Sequence, residues 1–194
     1  MNIATRFRTV ILLMFAAASL NAFAGELPED SVYGMDATLQ THRGDELSLA
    51  SLEGKPVIVS MFYGSCPHVC PMLISTIQQV ERQLSAGERE GLRVAMISID
   101  PARDTPEHLR AIAERRGVNN DRWILARTSA ARTRPLAAVL GIKYRALPDG
   151  DFNHTSVLIL LDAQGRQLAR SSTLGVPDEA FVRRVEAALR STAP

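Results

Sequence analysis

Eight residues, Pro56 to Tyr63 (PVIVSMFY), limit the fold more than any other part of the chain. They form an almost unbroken apolar run rich in β-branched and aromatic side chains, the pattern of a strand buried on both faces. Such a strand needs packing layers above and below it, so the chain is expected to be an α/β protein with a covered central sheet. The run ends directly at Gly64-Ser65-Cys66. Beyond it, Leu73, Ile77, Val80 and Leu84 recur at helical spacing and give one core-facing stripe. The segment Cys66-Pro67-His68-Val69-Cys70-Pro71 therefore occupies a strand-to-helix turn.

A second strand and helix follow, with the strand at Leu92 to Ile99 and the helix entered through Thr105-Pro106 and stopped by Gly117. Trp123 to Ala126 reads as a further strand. Pro135 would break a helix begun at Ala130, so the next helix is predicted from Thr133 to Gly141. Thr155 to Leu161 and Gln167 to Ser171 form a hairpin around Asp162-Ala163-Gln164-Gly165, and Asp178 to Ser191 closes the chain as an amphipathic helix. Ahead of these elements, Thr38 to Leu49 reads as a small hairpin turning at Arg43-Gly44-Asp45. The order predicts an α/β, thioredoxin-like fold: a mixed parallel and antiparallel central sheet, helices on both faces and an N-terminal β-hairpin.

The N-terminus reads as a targeting segment. Arg6 and Arg8 precede the apolar run Val10 to Ala18, and Ala22-Phe23-Ala24 is a small-x-small cleavage pattern. The run is well short of the roughly 20 residues needed to cross a bilayer, so residues 1–24 are expected to be a cleaved signal peptide rather than an anchor. Residues 25–35 form a polar segment expected to be mobile, and 36–194 form one domain. Removing two of the 22 basic residues and none of the 21 acidic ones leaves a net charge of −1. Nucleic acid is therefore not an expected partner, and membrane association is at most peripheral. Export through a cleavable signal peptide makes the periplasm the expected location, with a retained membrane anchor as the alternative.

About 170 remaining residues can bury a proper core without a staple, so the two cysteines need another explanation. A disulfide across so short a loop contributes only about 2 kcal/mol in the chain-entropy model, against nearly 5 for a long loop. At i and i+4 of a helical turn, Cβ atoms stand about 5–6 Å apart. That is wider than a disulfide prefers and compatible with two sulfurs on one metal. Pro67 and Pro71 disfavour helical backbone at the residues before them, and a helix N-terminus just downstream would favour thiolate. Metal binding and thiol-disulfide exchange both remain open on spacing alone. His154, in the polar stretch Asp151-Phe152-Asn153-His154-Thr155, is expected on a loop at a strand end, where a histidine is only a candidate ligand.

Three ordered motifs sharpen this reading. Met61 to Pro71 resembles the Sco/SenC copper-protein motif, a strand followed by CPxxCP. Asp100-Pro101-Ala102-Arg103-Asp104-Thr105-Pro106 resembles that family's DPxRDTP segment, and Asn153-His154-Thr155-Ser156 resembles its histidine loop. The resemblance implies a copper site of Cys66, Cys70 and His154, with Asp100 supporting it nearby. It implies a periplasmic metallochaperone, not an enzyme, serving the copper A site in subunit II of cytochrome c oxidase or another periplasmic copper protein. Two thiolates suit copper(I), and an added imidazole suits copper(II) as well. The alternative is a thiol-disulfide oxidoreductase acting on a cuproenzyme's cysteines, with Cys66 and Cys70 as the redox-active pair. A peroxidase built on one low-pKa cysteine has no supporting constellation.

Two positions depart from the family pattern. His68 stands where an acidic residue is usual, as a possible extra ligand, and Asn153 replaces the usual Asp before the ligand histidine. Asp104 and Thr105 read as residues capping the following helix, with Arg103 able to pair with either Asp100 or Asp104. Met61, Met72 and Met96 read as core filler. His42, His108 and Trp123 carry no functional signal.

Overall fold

A computed structural model describes residues 27–66 and 69–192, with the backbone alone at 69 and 70. The proposed signal peptide lies outside the described residues, as do Pro67 and His68. Nine strands form two sheets. The larger holds β1 (Thr38–Thr41), β2 (Glu46–Ser48), β3 (Val57–Phe62), β4 (Arg93–Ser98), β5 (Trp123–Arg127), β8 (Leu158–Leu161) and β9 (Gln167–Ser171). Their spatial order is β2-β1-β5-β4-β3-β8-β9, and β6 (Tyr144–Ala146) pairs with β7 (Phe152–His154) in a separate two-stranded sheet.

The hydrophobic pattern explains which strands sit in the middle. All six residues of β3 are buried, as are five of the six in β4 and all four in β8, so both faces of the sheet centre are covered. β3, β4 and β5 run parallel, whereas β8 lies antiparallel against β3. This mixed sheet with helices on both sides is the thioredoxin-like architecture expected. The N-terminal hairpin forms as predicted, and β1 also pairs with β5, which makes the hairpin the edge of the main sheet.

Among the described residues, five α-helices accompany the sheets: α1 (Val69–Gln83), α2 (Ala86–Gly91), α3 (Pro106–Arg115), α4 (Ala130–Val139) and α5 (Glu179–Thr192). The α1 stripe Leu73, Ile77, Val80 and Leu84 is buried as its spacing requires. In α5, Phe181, Val185, Ala188 and Leu189 are buried, and the Asp178 carboxylate caps the first turn by accepting from the Ala180 and Phe181 amides. None of the described helices is long and apolar enough to cross a membrane.

Three expectations need correction. First, α4 starts at Ala130 and carries Pro135 inside it. Pro135 cannot donate to the carbonyl of Ala131, but both residues are exposed, so the orphaned carbonyl faces water and the break costs less than it would in a buried helix. Second, the described part of the segment expected to be mobile is packed. Val32 and Tyr33 are buried, the Val32 amide donates to the Gly165 carbonyl at 3.0 Å, and Ser31 Oγ donates to the Gln164 carbonyl. Gly165, at φ +85°, closes the β8–β9 turn, and a Cβ there would lie 2.6 Å from the Tyr33 ring. Third, β6 and β7 form a hairpin where a loop was expected.

His42 has a structural role that the sequence did not signal. It is fully buried just after β1, and its Nδ1 accepts the Leu125 amide at 3.2 Å. Burial, reinforced by the Arg43 charge, lowers its pKa below the ordinary value. The unfolded state then takes up a proton first as pH falls, so the neutral ring's contribution is complete above about pH 6.5 and is lost on acidification below it. Melting temperature is therefore expected to drop between pH 7 and pH 5, and to drop less in His42→Asn, which keeps an acceptor but does not titrate. Equal drops in the two proteins would exclude His42 as a source of the acid sensitivity.

Candidate metal centre

The register between β3 and β8 sets the geometry of the site. Val57 pairs with Leu161, Ile58 with Leu160 and Val59 with Ile159. Ser60 Oγ then donates to the Val157 carbonyl at 2.8 Å, holding the two chains together beyond the ladder. The chain that enters β8 therefore passes the end of β3, where the Tyr63 and His154 ring centroids lie 5.7 Å apart. A residue 88 positions after Cys66 in the sequence is thereby returned to the strand end that carries the cysteines.

His154 is the last residue of β7, not a loop residue. Tyr144 pairs with His154 and Ala146 with Phe152, while Leu147 and Asp151 close the turn through a 2.8 Å amide-to-carbonyl bond. Gly150, at φ +86°, supplies the left-handed turn position. Phe152 and His154 are two residues apart and share a face, as do cross-strand neighbours Tyr144 and His154. That face meets Tyr63, whose ring lies 5.2 Å from the Phe152 centroid and 5.7 Å from that of His154, the latter edge to face. Tyr63 also lines one small cavity with Cys66. Cys66 and His154 are thus both brought to Tyr63.

The histidine's protonation is legible from its partner. Nδ1 lies 3.2 Å from the Thr155 carbonyl, which can only accept, so Nδ1 carries the proton and Nε2 keeps its lone pair. Burial holds the ring's pKa below its ordinary value, outweighing the Thr155 bond that raises it. A neutral imidazole with an available Nε2 is the form that binds a metal. His154 also lines a shallow concavity with Lys143, Tyr144, Arg145 and Asn153, so it is reachable from outside.

Cys66 is partly buried at the end of β3, and its amide donates to the Tyr63 carbonyl at 3.2 Å. Helix α1 begins at Val69, so Cys66 lies outside the helix while Cys70 is its second residue and Pro71 its third. The i, i+4 helical geometry considered for the pair is therefore replaced by a junction, with Pro71 in the first turn of α1 at a position that needs no helical N–H donor. The Cys70 and His68 side chains lie outside the described residues.

The segment Asp100 to Thr105 braces both halves of the site. Asp104 is almost fully buried, at 1% exposure, and its carboxylate accepts the Gly64 amide at 2.9 Å, the Ser98 hydroxyl, and the His108 ring at 3.1 Å. Thr105 caps α3, accepting the His108 amide, so of the two residues read as caps only Thr105 acts as one. Asp100 is buried, but its carboxylate meets Arg103. Arg103 in turn donates to the Gly150 carbonyl and stacks its guanidinium 5.7 Å from the Phe152 ring. The Asp100–Arg103 pair therefore holds the histidine hairpin, while Asp104 holds the cysteine loop. Sequence reasoning missed Tyr63 and gave Asp104 a different task. Met61 and Met96 are core filler, whereas Met72 is 40% exposed in the first turn of α1.

A thioredoxin-like sheet thus returns His154 to the cysteine-bearing end of its central strand. The chain belongs to the SCO1/SenC family, which it matches over residues 26–190. A SCO1 protein homolog of Bacillus subtilis is 28% identical over 86 residues, 44% of each chain. The chain spans less than half the length of the curated relatives it matches. Among solved structures, Bradyrhizobium japonicum ScoI with copper bound aligns with a TM-score of 0.66 and 22% identity, over 82% of this chain and 98% of that one. BsSco, described as having a disulfide switch and as a member of the Sco family of cytochrome c oxidase assembly proteins, aligns with a TM-score of 0.65 and 23% identity, over 79% and 91%.

Gly64 tests the brace. A Cβ at this position would lie 2.5 Å from Asp104 Oδ1, 2.6 Å from His108 Cε1 and 2.8 Å from Ile112 Cδ1. Gly64→Ala is expected to lower unfolding stability by about 1–3 kcal/mol through overpacking and loss of the Asp104 bond. Denaturant melts check this, and a variant as stable as wild type would show that the loop is not clamped.

Proposed function

We propose that this protein is a periplasmic copper carrier that binds one copper ion through Cys66, Cys70 and His154. Its cargo is destined for a cuproenzyme of the same compartment, most directly the copper A site in subunit II of cytochrome c oxidase. The observation that carries this reading is that Tyr63 lines one small cavity with Cys66 and packs its ring against His154, in a chain of the SCO1/SenC family. Copper in a relative of the same fold supports the choice of metal, and the oxidase-assembly role of another supports the choice of recipient.

The donor set fits the cargo. Soft thiolates favour copper(I), and the neutral imidazole extends the site to copper(II), so a carrier can hold either state. The start of α1 beside the cysteines favours their thiolate forms through the helix dipole. His68 lies between the two cysteines in sequence and is a fourth candidate donor. Asn153 faces the concavity beside His154, where it leaves the ring without a neighbouring carboxylate, which weakens copper(II) relative to a site with one. No chemical turnover is part of this role.

A thiol-disulfide exchange role is the second reading, favoured by the disulfide switch of BsSco and by the helix start at the cysteines. The two readings separate on His154. For a carrier, chelator competition is expected to show one copper per chain, with Cys66→Ser, Cys70→Ser and His154→Ala each weakening binding by about a hundredfold or more. For an exchange protein, His154→Ala keeps thiol activity while either cysteine change abolishes it. Substoichiometric copper in the wild type, or unchanged affinity in His154→Ala, would remove the carrier reading.

A further inference from the structure

We propose that a basic docking surface rings this centre, with Arg115 and Arg116 beside Cys66 and with Arg134, Lys143 and Arg145 beside His154. The partner that exchanges copper there presents an acidic protein surface around its own thiols. This inference rests on the carrier reading and deepens it by assigning the partner's charge.

Three parts of the fold carry these cations to one end of the molecule. Arg115 ends α3 and Arg116 follows it, and both line the small cavity that holds Cys66 and Tyr63. Lys143 and Arg145 line the concavity that holds His154. Arg134 of α4 sets its guanidinium 4.9 Å from the ring centroid of Tyr144, the residue paired with His154. Tyr63 joins the two groups, because it belongs to the cysteine cavity and its ring packs against His154.

All five basic residues are exposed, and the ion pairs among the described residues involve other cations. Few acids oppose them. Asp100 and Asp104 are buried and paired, and Glu107 is offset by Arg110 and Arg127. Asp149 and Asp151 sit at the closed end of the histidine hairpin, whereas His154 lies at its open end, and Glu114 stands exposed beside Arg115. A chain with a net charge of only +1 thus gathers positive charge around one site.

Clefts lined by one sign of charge focus the field and speed association with partners of the opposite sign. Rim charges act mainly on the association rate and its salt dependence. The cargo adds a second reason. Copper(I) held by two thiolates is a net anion, so an incoming thiolate meets repulsion that nearby cations offset. In the transfer the ion keeps its oxidation state. Each copper–sulfur bond to the carrier that breaks is replaced by one to an acceptor thiolate, and the protons lost by the acceptor thiols pass to the freed carrier thiolates. The cations border recesses instead of a flat face, which suits a protruding protein loop better than a lipid surface.

Two dithiol peptides with the same Cys-x-x-x-Cys acceptor, one flanked by Asp and Glu and the other by Lys, probe the rim of the copper(I)-loaded protein. The acidic peptide is expected to withdraw copper about tenfold faster at low ionic strength, with the difference shrinking as salt is raised. Arg115→Glu, Arg116→Glu, Lys143→Glu and Arg145→Glu together are expected to invert the order, and either pair made alone to reduce the preference. Lys55→Glu with Arg190→Glu, in a cavity at the opposite end of β3, should leave it unchanged. Equal rates for the two peptides in the wild type, or an order that survives the reversal, would overturn the proposal. So would a protein that sediments with phosphatidylglycerol vesicles through these residues yet ignores the charge of the peptides. A wild type that takes up no copper would instead overturn the carrier reading; the rim is then judged by the affinities of the two copper-free peptides, and equal affinities would overturn it as well.

Discussion

The antiparallel register between β3 and β8 is the constraint on which the rest of the centre depends. β3 must lie in the middle of the sheet because both of its faces are apolar, and its end delivers Gly64 and Cys66. Since β8 runs in the opposite direction beside it, the chain entering β8 passes that same end. Because β8 is buried on both faces, alternation alone does not set its register, and the buried Ser60 bond to the Val157 carbonyl marks the pairing. The segments that carry Cys66 and His154 come to the same end of the sheet as a by-product of burying Leu158 to Leu161.

Packing alone would bring the two segments close without setting their angles. That task falls to polar groups drawn from the loop after β4. Asp104 binds the backbone before the cysteines, while Asp100 orients Arg103 toward the histidine hairpin. Both carboxylates are buried and hydrogen-bonded, so neither is an unpaired charge in the interior. The cysteine loop and the histidine hairpin are thus each tied to the segment after β4.

The fold was largely legible in the sequence because its core strands are continuous apolar runs and its long helices are amphipathic. Local chemistry was read less well. The β6–β7 hairpin went unseen because its strands are three residues long and carry Arg145 and Asn153, although Asp149-Gly150 is a recognisable hairpin turn signal. Pro135 argued for a later start to α4 because its exposure could not be known in advance. Tyr63 was counted as the last residue of a strand, and nothing in the sequence marks a tyrosine as meeting two residues so far apart. His154 gained its standing from motif resemblance, and its tautomer from the Thr155 carbonyl.

The central claim is that one metal ion is shared by the end of β3, the start of α1 and the end of β7. X-ray absorption at the copper edge of the loaded protein, compared with His154→Ala, tests it most directly. The account predicts two sulfur neighbours and at least one imidazole nitrogen in the wild type, with the nitrogen contribution reduced and both sulfurs retained in the variant. A wild-type spectrum containing sulfur alone, or one left unchanged by the substitution, would contradict it.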